Sequence, residues 1–201
     1  MDAQHFLVYK PFRMVSQFLT NDGKQKRKRF LKELGSFPDN TMAIGRLDEK
    51  TEGLLLLTTC GKTSDVINRS KLWSKTYHAQ VDGKITQSVI EQLKNGVVIT
   101  VNGKPYTTNP CEAAISQEPD YILTHTYIRD EKHGPTSWIS ITLNEGKFRQ
   151  VRKMCSKVGF PVLRLVRTQI GPFQLNDVKN QKVIDVTDRL ETILLEQQAK
   201  L

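Results

Sequence analysis

The side chains best suited to chemistry are concentrated in one nonapeptide, Gly45-Arg46-Leu47-Asp48-Glu49-Lys50-Thr51-Glu52-Gly53. It packs three carboxylates and two cations between two glycines, directly ahead of the apolar run Leu54 to Leu57. A loop anchored on a rigid strand presents its side chains without moving its own backbone, which suits a nucleophilic or general-base carboxylate such as Asp48. An Asp in a glycine-flanked turn also bonds its own backbone, so residue type alone leaves both roles open. Other chemistries lack their residues. The lysine spacing of a phosphate-cradling loop is missing, as is the His-x-Glu plus cysteine pair of a zinc deaminase. His5, His78, His125 and His133 have no hydrolase motif around them.

The charge distribution points to a polyanionic partner. The 201 residues carry 30 Lys and Arg against 21 Asp and Glu, a net charge of +9. Lys24 to Lys32 holds six cations (Lys24, Lys26, Arg27, Lys28, Arg29, Lys32) and Lys147 to Arg167 holds seven, with no acid in either stretch. Without those 13, the chain has 17 basic against 21 acidic residues. Two local basic stretches on an otherwise slightly acidic protein fit a surface that follows a phosphate backbone, although for the first stretch a solvated face is an equal alternative. With 38 % apolar and 25 % charged residues, the chain is neither disordered nor fibrous, and no apolar run approaches a membrane span. The residues from Met1 to Lys10 do not read as a signal peptide, so a cytoplasmic location and no membrane partner are expected. Cys60, Cys111 and Cys155 are odd in number and widely spaced, which disfavours a disulfide framework or a zinc site and predicts three small core residues.

The elements that must position Asp48 follow from periodicity. Residues 6–9 read as a short strand ended by Lys10-Pro11, and Asp22 to Leu34 as a surface helix or ordered loop closed by Gly35 at a helix C′ position. Leu54 to Thr59 reads as a strand and Thr63 to Arg69 as a helix. Tyr77, Ala79 and Val81 alternate with polar residues up to Asp82-Gly83, the pattern of a half-buried strand. A helix from Thr86 to Lys94 and strands at 97–101, 111–116, 122–128 and 137–143 follow, then a helix from Phe148 to Val158. On that helix Val151, Met154, Cys155 and Val158 take one face, while Arg149, Lys153 and Lys157 take the opposite one. Arg152 falls at the margin, about 60° from Cys155, where a partly buried guanidinium needs an anionic partner. Strands at 162–166 and 182–186 and a helix at 188–197 complete an α+β chain with a large mixed or mostly antiparallel sheet, read as a single domain.

Four segments carry a family resemblance. Gly45 to Gly61, GRLDEKTEGLLLLTTCG, resembles the signature G-R-L-D-x-x-T/S-x-G-L-L-L-L-T-x-x-G of the RsuA-like pseudouridine synthases. Tyr9-Lys10-Pro11 resembles the family's N-K-P strand, and Lys75-Thr76-Tyr77 with Val81-Asp82-Gly83 its K-x-Y strand. Glu145 to Met154, then Val158-Gly159, Leu163 to Arg167 and Ile170-Gly171, resemble its E-G-R-N-R-Q-V-R-R-M motif. Pro135 to Trp138 is similar to a segment of the large-subunit ribosomal RNA enzymes of the E type. Lys147 and Phe148 stand where Arg and Asn are commoner, at side chains expected to tune RNA contact.

The resemblance implies a pseudouridine synthase fold, a central sheet flanked by helices, with two subdomains around a catalytic cleft and no S4 domain. It implies an isomerase that flips a specific uridine of ribosomal RNA, in 23S RNA or a pre-ribosomal particle, and uses Asp48 as nucleophile. Whether Asp48 attacks sugar or base stays open. Tyr77 is implied to stack on the uracil and help remove the C5 proton, and Arg152 to keep Asp48 ionised. Leu163 or Leu165 would pack under the uracil. Arg46, Lys10, Arg149, Lys153, Lys157 and Arg164, with Lys24, Lys26, Arg27, Lys28 and Arg29, form the expected RNA-binding set. No cofactor is expected, nor an obligate protein partner, and a monomer is the simplest state.

Overall fold

The computed structural model describes residues 2–19, 28–70, 72–119, 133–179 and 181–199. The expected strand at 122–128 and the residues Lys24, Lys26 and Arg27 lie outside them. In chain order the elements are β1 (His5–Lys10), β2 (Met42–Ile44), β3 (Glu52–Thr58), α1 (Gly61–Arg69), β4 (Lys75–Asp82), α2 (Gln87–Asn95), β5 (Val98–Val101), β6 (Lys104–Thr107), β7 (Glu112–Ser116), β8 (Thr136–Leu143), α3 (Gln150–Lys157), β9 (Val162–Ile170), β10 (Phe173–Gln174), β11 (Val183–Asp185) and α4 (Thr187–Gln198). The expected α+β class with a mixed, mostly antiparallel sheet is what forms. Its strand order is β11-β1-β3-β9-β4-β8-β7, with β2 added to β3 and β10 to β9, while β5 and β6 form a separate hairpin.

Burial explains why two strands of this sheet have different sequence patterns. All seven residues of β3 are buried, since Leu54 and Leu56 pack with Trp73, Phe173 and Leu190 on one side, and Leu55 and Leu57 with Met14 and Leu31 on the other. A strand covered on both faces reads as a continuous apolar run. In β4 only Ala79 and Val81 are buried, against Ile139, Ile141, Ile90, Leu93, Met154 and Cys155, whereas Thr76 bonds Thr142 and Gln80 bonds Thr136 on the other face. That strand therefore alternates.

The two core regions meet where β9 runs antiparallel to β4 and parallel to β3. The parallel register is short, Glu52 opposite Val166 and Gly53 opposite Arg167. Gly53 is required there: its φ is +104°, and a Cβ would lie 2.2 Å from the Arg167 carbonyl oxygen. The nonapeptide thus ends at the junction of the two halves.

Several expectations needed correction. Within the described part of the 22–34 segment, Arg29 forms an isolated bridge with Met14, and only a 3-10 turn, Leu31–Glu33, follows. Gly35 does not adopt the positive φ of a helix C′ residue. β2 and β6 were not expected, and β6 had a legible signal: Asn102-Gly103, at φ of 50° and 77°, is the two-residue turn of the β5–β6 hairpin. Cys155 is a buried core residue whose thiol burial pushes up to about 12, whereas Cys60 and Cys111 are only half-buried. Among the described residues, no helix is long and apolar enough to cross a membrane.

Candidate active site

Asp48 is held by backbone on both sides. The Ser16 hydroxyl donates to the Leu47 carbonyl (2.8 Å) and accepts from the Leu47 amide (3.0 Å), and the Arg13 amide donates to the Glu49 carbonyl (2.8 Å). The Asp48 carbonyl accepts from the Thr51 amide (2.9 Å), closing a turn. Lys28 adds an ion pair to Glu49 at 2.9 Å. The carboxylate opens into a pocket whose lining includes Arg46, Tyr77 from β4, Leu165 from β9, and Glu145, Lys147 and Arg149 from the turn before α3. Sequence reasoning left Leu163 and Leu165 open. Leu165 lines the pocket and Leu163 does not.

The cation that reaches Asp48 is Arg149, with Nη1 3.3 Å from Oδ2, and not Arg152. A helical wheel puts Arg149 on the outward face, but Arg149 precedes the helix in a left-handed conformation (φ 55°, ψ 35°), so the wheel does not apply to it. Arg152 instead donates to the Val162 carbonyl (3.2 Å) and the Lys50 carbonyl (2.7 Å). It ties α3 to the loop that carries Asp48. Burial and the neighbouring Arg149 lower its pKa, while Asp48 opposes that shift. Lys153 and Lys157 do line a groove with Arg149 and Arg152, between α3 and β5.

Two residues expected on the RNA surface are inside the protein. Lys10 is fully buried and donates to the carbonyls of Pro11 (3.0 Å) and Met14 (2.7 Å), so its ammonium cannot reach a phosphate. Burial depresses its pKa to about 7, against the attraction of Glu52. Arg164, 4 % exposed, pairs through Nε and Nη2 with both Glu52 oxygens (3.0 and 3.1 Å) and through Nη1 with Glu118 (3.2 Å). Glu52 also accepts from the Tyr9 hydroxyl (3.0 Å). Nothing local in the motif marks Glu52 for this role. The same holds for Glu145, which accepts from Tyr106, the Asn109 amide (2.9 Å) and Gln150 (2.7 Å) and so fixes the turn that carries Arg149. Burial disfavours its charge, but these donors outweigh that and hold its carboxyl below the usual range.

Asp48, Tyr77 and Leu165 thus line one pocket, and the chain that builds it is similar to known proteins. Residues 4–157 match the RNA pseudouridylate synthase family. The chain belongs to that family. It is 37 % identical over 172 residues to ribosomal large subunit pseudouridine synthase E of Xanthomonas axonopodis pv. citri, a match covering 85 % of this chain and 87 % of the relative. The protein of the same name from Vibrio vulnificus is 36 % identical over 173 residues, covering 85 % and 69 %. Ribosomal large subunit pseudouridine synthase B of Bacillus subtilis is 32 % identical over 184 residues, covering 91 % and 68 %. A solved pseudouridylate synthase superposes with a TM-score of 0.71 at 23 % identity, over 94 % of this chain and 73 % of its own, so the fold is the pseudouridine synthase fold. This RNA pseudouridylate synthase is accordingly an RNA-modifying isomerase.

Proposed function

We propose that this enzyme converts a specific uridine of large-subunit ribosomal RNA to pseudouridine, with Asp48 as nucleophile. The observation that carries the reading is the convergence of Asp48, Tyr77 and Leu165 on one pocket, with Arg149 3.3 Å from the carboxylate. The relatives' names, all large-subunit ribosomal enzymes, support the substrate class. We read the two core regions as subdomains closing around this cleft.

A base inside a helix cannot reach a recessed carboxylate, so the uridine must leave its stack, and Arg46 at the rim is placed to fill the space it vacates or to hold its phosphate. Asp48 then bonds covalently to the sugar or the base as the N1–C1′ bond breaks. The uracil turns over, C5 bonds to C1′, the bond to Asp48 breaks with its electron pair returning to the carboxylate, the C5 proton leaves and N1 gains a proton. Substrate and product have the same composition, so the step needs no cofactor or energy source. Leu165 supports the uracil from below, and Tyr77 stacks on it and assists removal of the C5 proton. Arg149 stays paired with the Asp48 carboxylate as the bound nucleotide displaces water. Lys153 and Lys157, with Lys28 and Arg29, hold the RNA backbone.

The test is carbodiimide-adduct primer extension on ribosomal RNA from cells lacking the gene, after incubation with wild type or Asp48→Asn. One new stop in large-subunit RNA with wild type only is expected. A stop in another RNA only would reject the substrate assignment, and a stop with Asp48→Asn would reject the nucleophile.

A further inference from the structure

Phe148 is out of keeping with its surroundings. Its ring is 67 % exposed, although few side chains gain more from leaving water. It stands between Lys147 and Arg149, which line the Asp48 pocket, and Lys153 Nζ lies 5.2 Å from its ring centroid. Lys153 is itself fixed, donating to the Thr100 carbonyl of β5 at 2.8 Å, and lines the groove that Arg149, Arg152 and Lys157 share. The ring therefore lies beside cations of both the pocket and the basic groove. The left-handed Arg149 is part of this placement: its turn sends one side chain to Asp48 and leaves its neighbour at the surface. An apolar protein partner covering this ring would have to strip water from the cations around it. A nucleobase brings a phosphate to them.

Resting on the RNA-modifying reading above, we propose that Phe148 is a stacking platform for an unpaired base adjacent to the flipped uridine, with that strand's phosphates running in the groove between α3 and β5. Stacking tolerates any base, so the subsite selects for an unpaired neighbour and not for a particular one. Target choice then depends partly on local RNA structure.

The test is fluorescence anisotropy with a labelled, unstructured U-rich RNA heptamer and with the same backbone made abasic, across a range of salt. Phe148→Ala should weaken binding to the heptamer roughly 5- to 100-fold, the effect of losing one stacked base, without changing the salt slope. Phe148→Tyr should restore it, which separates stacking from misfolding, and the abasic RNA should not distinguish Phe148→Ala from wild type. Lys153→Ala should instead reduce the salt slope by about one. The proposal is overturned if Phe148→Ala binds the heptamer as wild type does, if its loss is equal on abasic RNA, or if the loss comes with a flatter slope. These readouts do not depend on turnover. Base-dependent loss in Phe148→Ala with no product from wild type would sink the proposed function and keep the platform; product formation with base-independent binding would do the reverse.

Discussion

Asp48 and Glu52 lie four residues apart in one motif, and each is met by an arginine, yet their surroundings differ in every respect that sets the energy of a charge. The Asp48 carboxylate is 28 % exposed and meets the Arg149 guanidinium, itself 42 % exposed, at 3.3 Å. Glu52 is fully buried, gripped at both oxygens by Arg164 and bonded by the Tyr9 hydroxyl. A lone exposed pair contributes little to stability, so the Asp48 arrangement is available for chemistry. A desolvated carboxylate must be fully satisfied or the fold pays for it, so Glu52 is committed to structure. The motif thus carries a partly exposed anion four residues ahead of a buried, fully paired one.

Four perturbations separate the two carboxylates experimentally. Glu52→Ala leaves Arg164 buried beside a missing partner and should destabilise the fold by about 3 to 5 kcal/mol in urea unfolding, with loss of activity only as a consequence of unfolding. Gly53→Ala places a Cβ against the Arg167 backbone at a φ of +104° and should cost about 2 kcal/mol or more, separating the two halves of the sheet at their junction. On the reactive side, Arg149→Ala should change stability by less than about 1 kcal/mol while lowering kcat/KM by roughly 10- to 100-fold. An equal loss of stability would put Arg149 in the same class as Arg164.

The fourth concerns Lys10. Its folded pKa, about 7, lies below its unfolded value, so above pH 7 the unfolded chain binds more protons and stability rises with pH until Lys10 is neutral in both states. Lowering the pH from the ordinary lysine value to about 7 removes that contribution, and below 7, where both states are protonated, Lys10 adds no slope. The slope should approach at most about 1.4 kcal/mol per pH unit and be missing from Lys10→Met, as measured by chemical denaturation at a series of pH values. Equal slopes in the two proteins would place the ammonium in a more solvated site.

How far each of these residues was legible depends on how local its determinants are. β4 declared itself because alternation records one wet face and one dry face, and β3 because a doubly covered strand is apolar throughout. The nonapeptide located Asp48, and the periodicity of α3 identified its buried face. Arg149 was misplaced because one left-handed residue at the helix start defeats the wheel. The fates of Lys10 and Arg164 were not legible at all: a cation looks the same in sequence whether it faces RNA or a carboxylate, and the Glu52 that claims Arg164 is 112 residues away. Leu165 could be separated from Leu163 only once the pocket itself was formed.

Whether Asp48 is the nucleophile that its neighbours hold is decided by release of tritium from C5 of [5-³H]uridine-labelled ribosomal RNA, with Asp48→Asn and wild type compared at matched thermal stability. Asp48→Asn should melt within about 1 kcal/mol of wild type and release tritium more than about 10³-fold more slowly. Release at a wild-type rate from the stable variant would show that Asp48 is not the nucleophile.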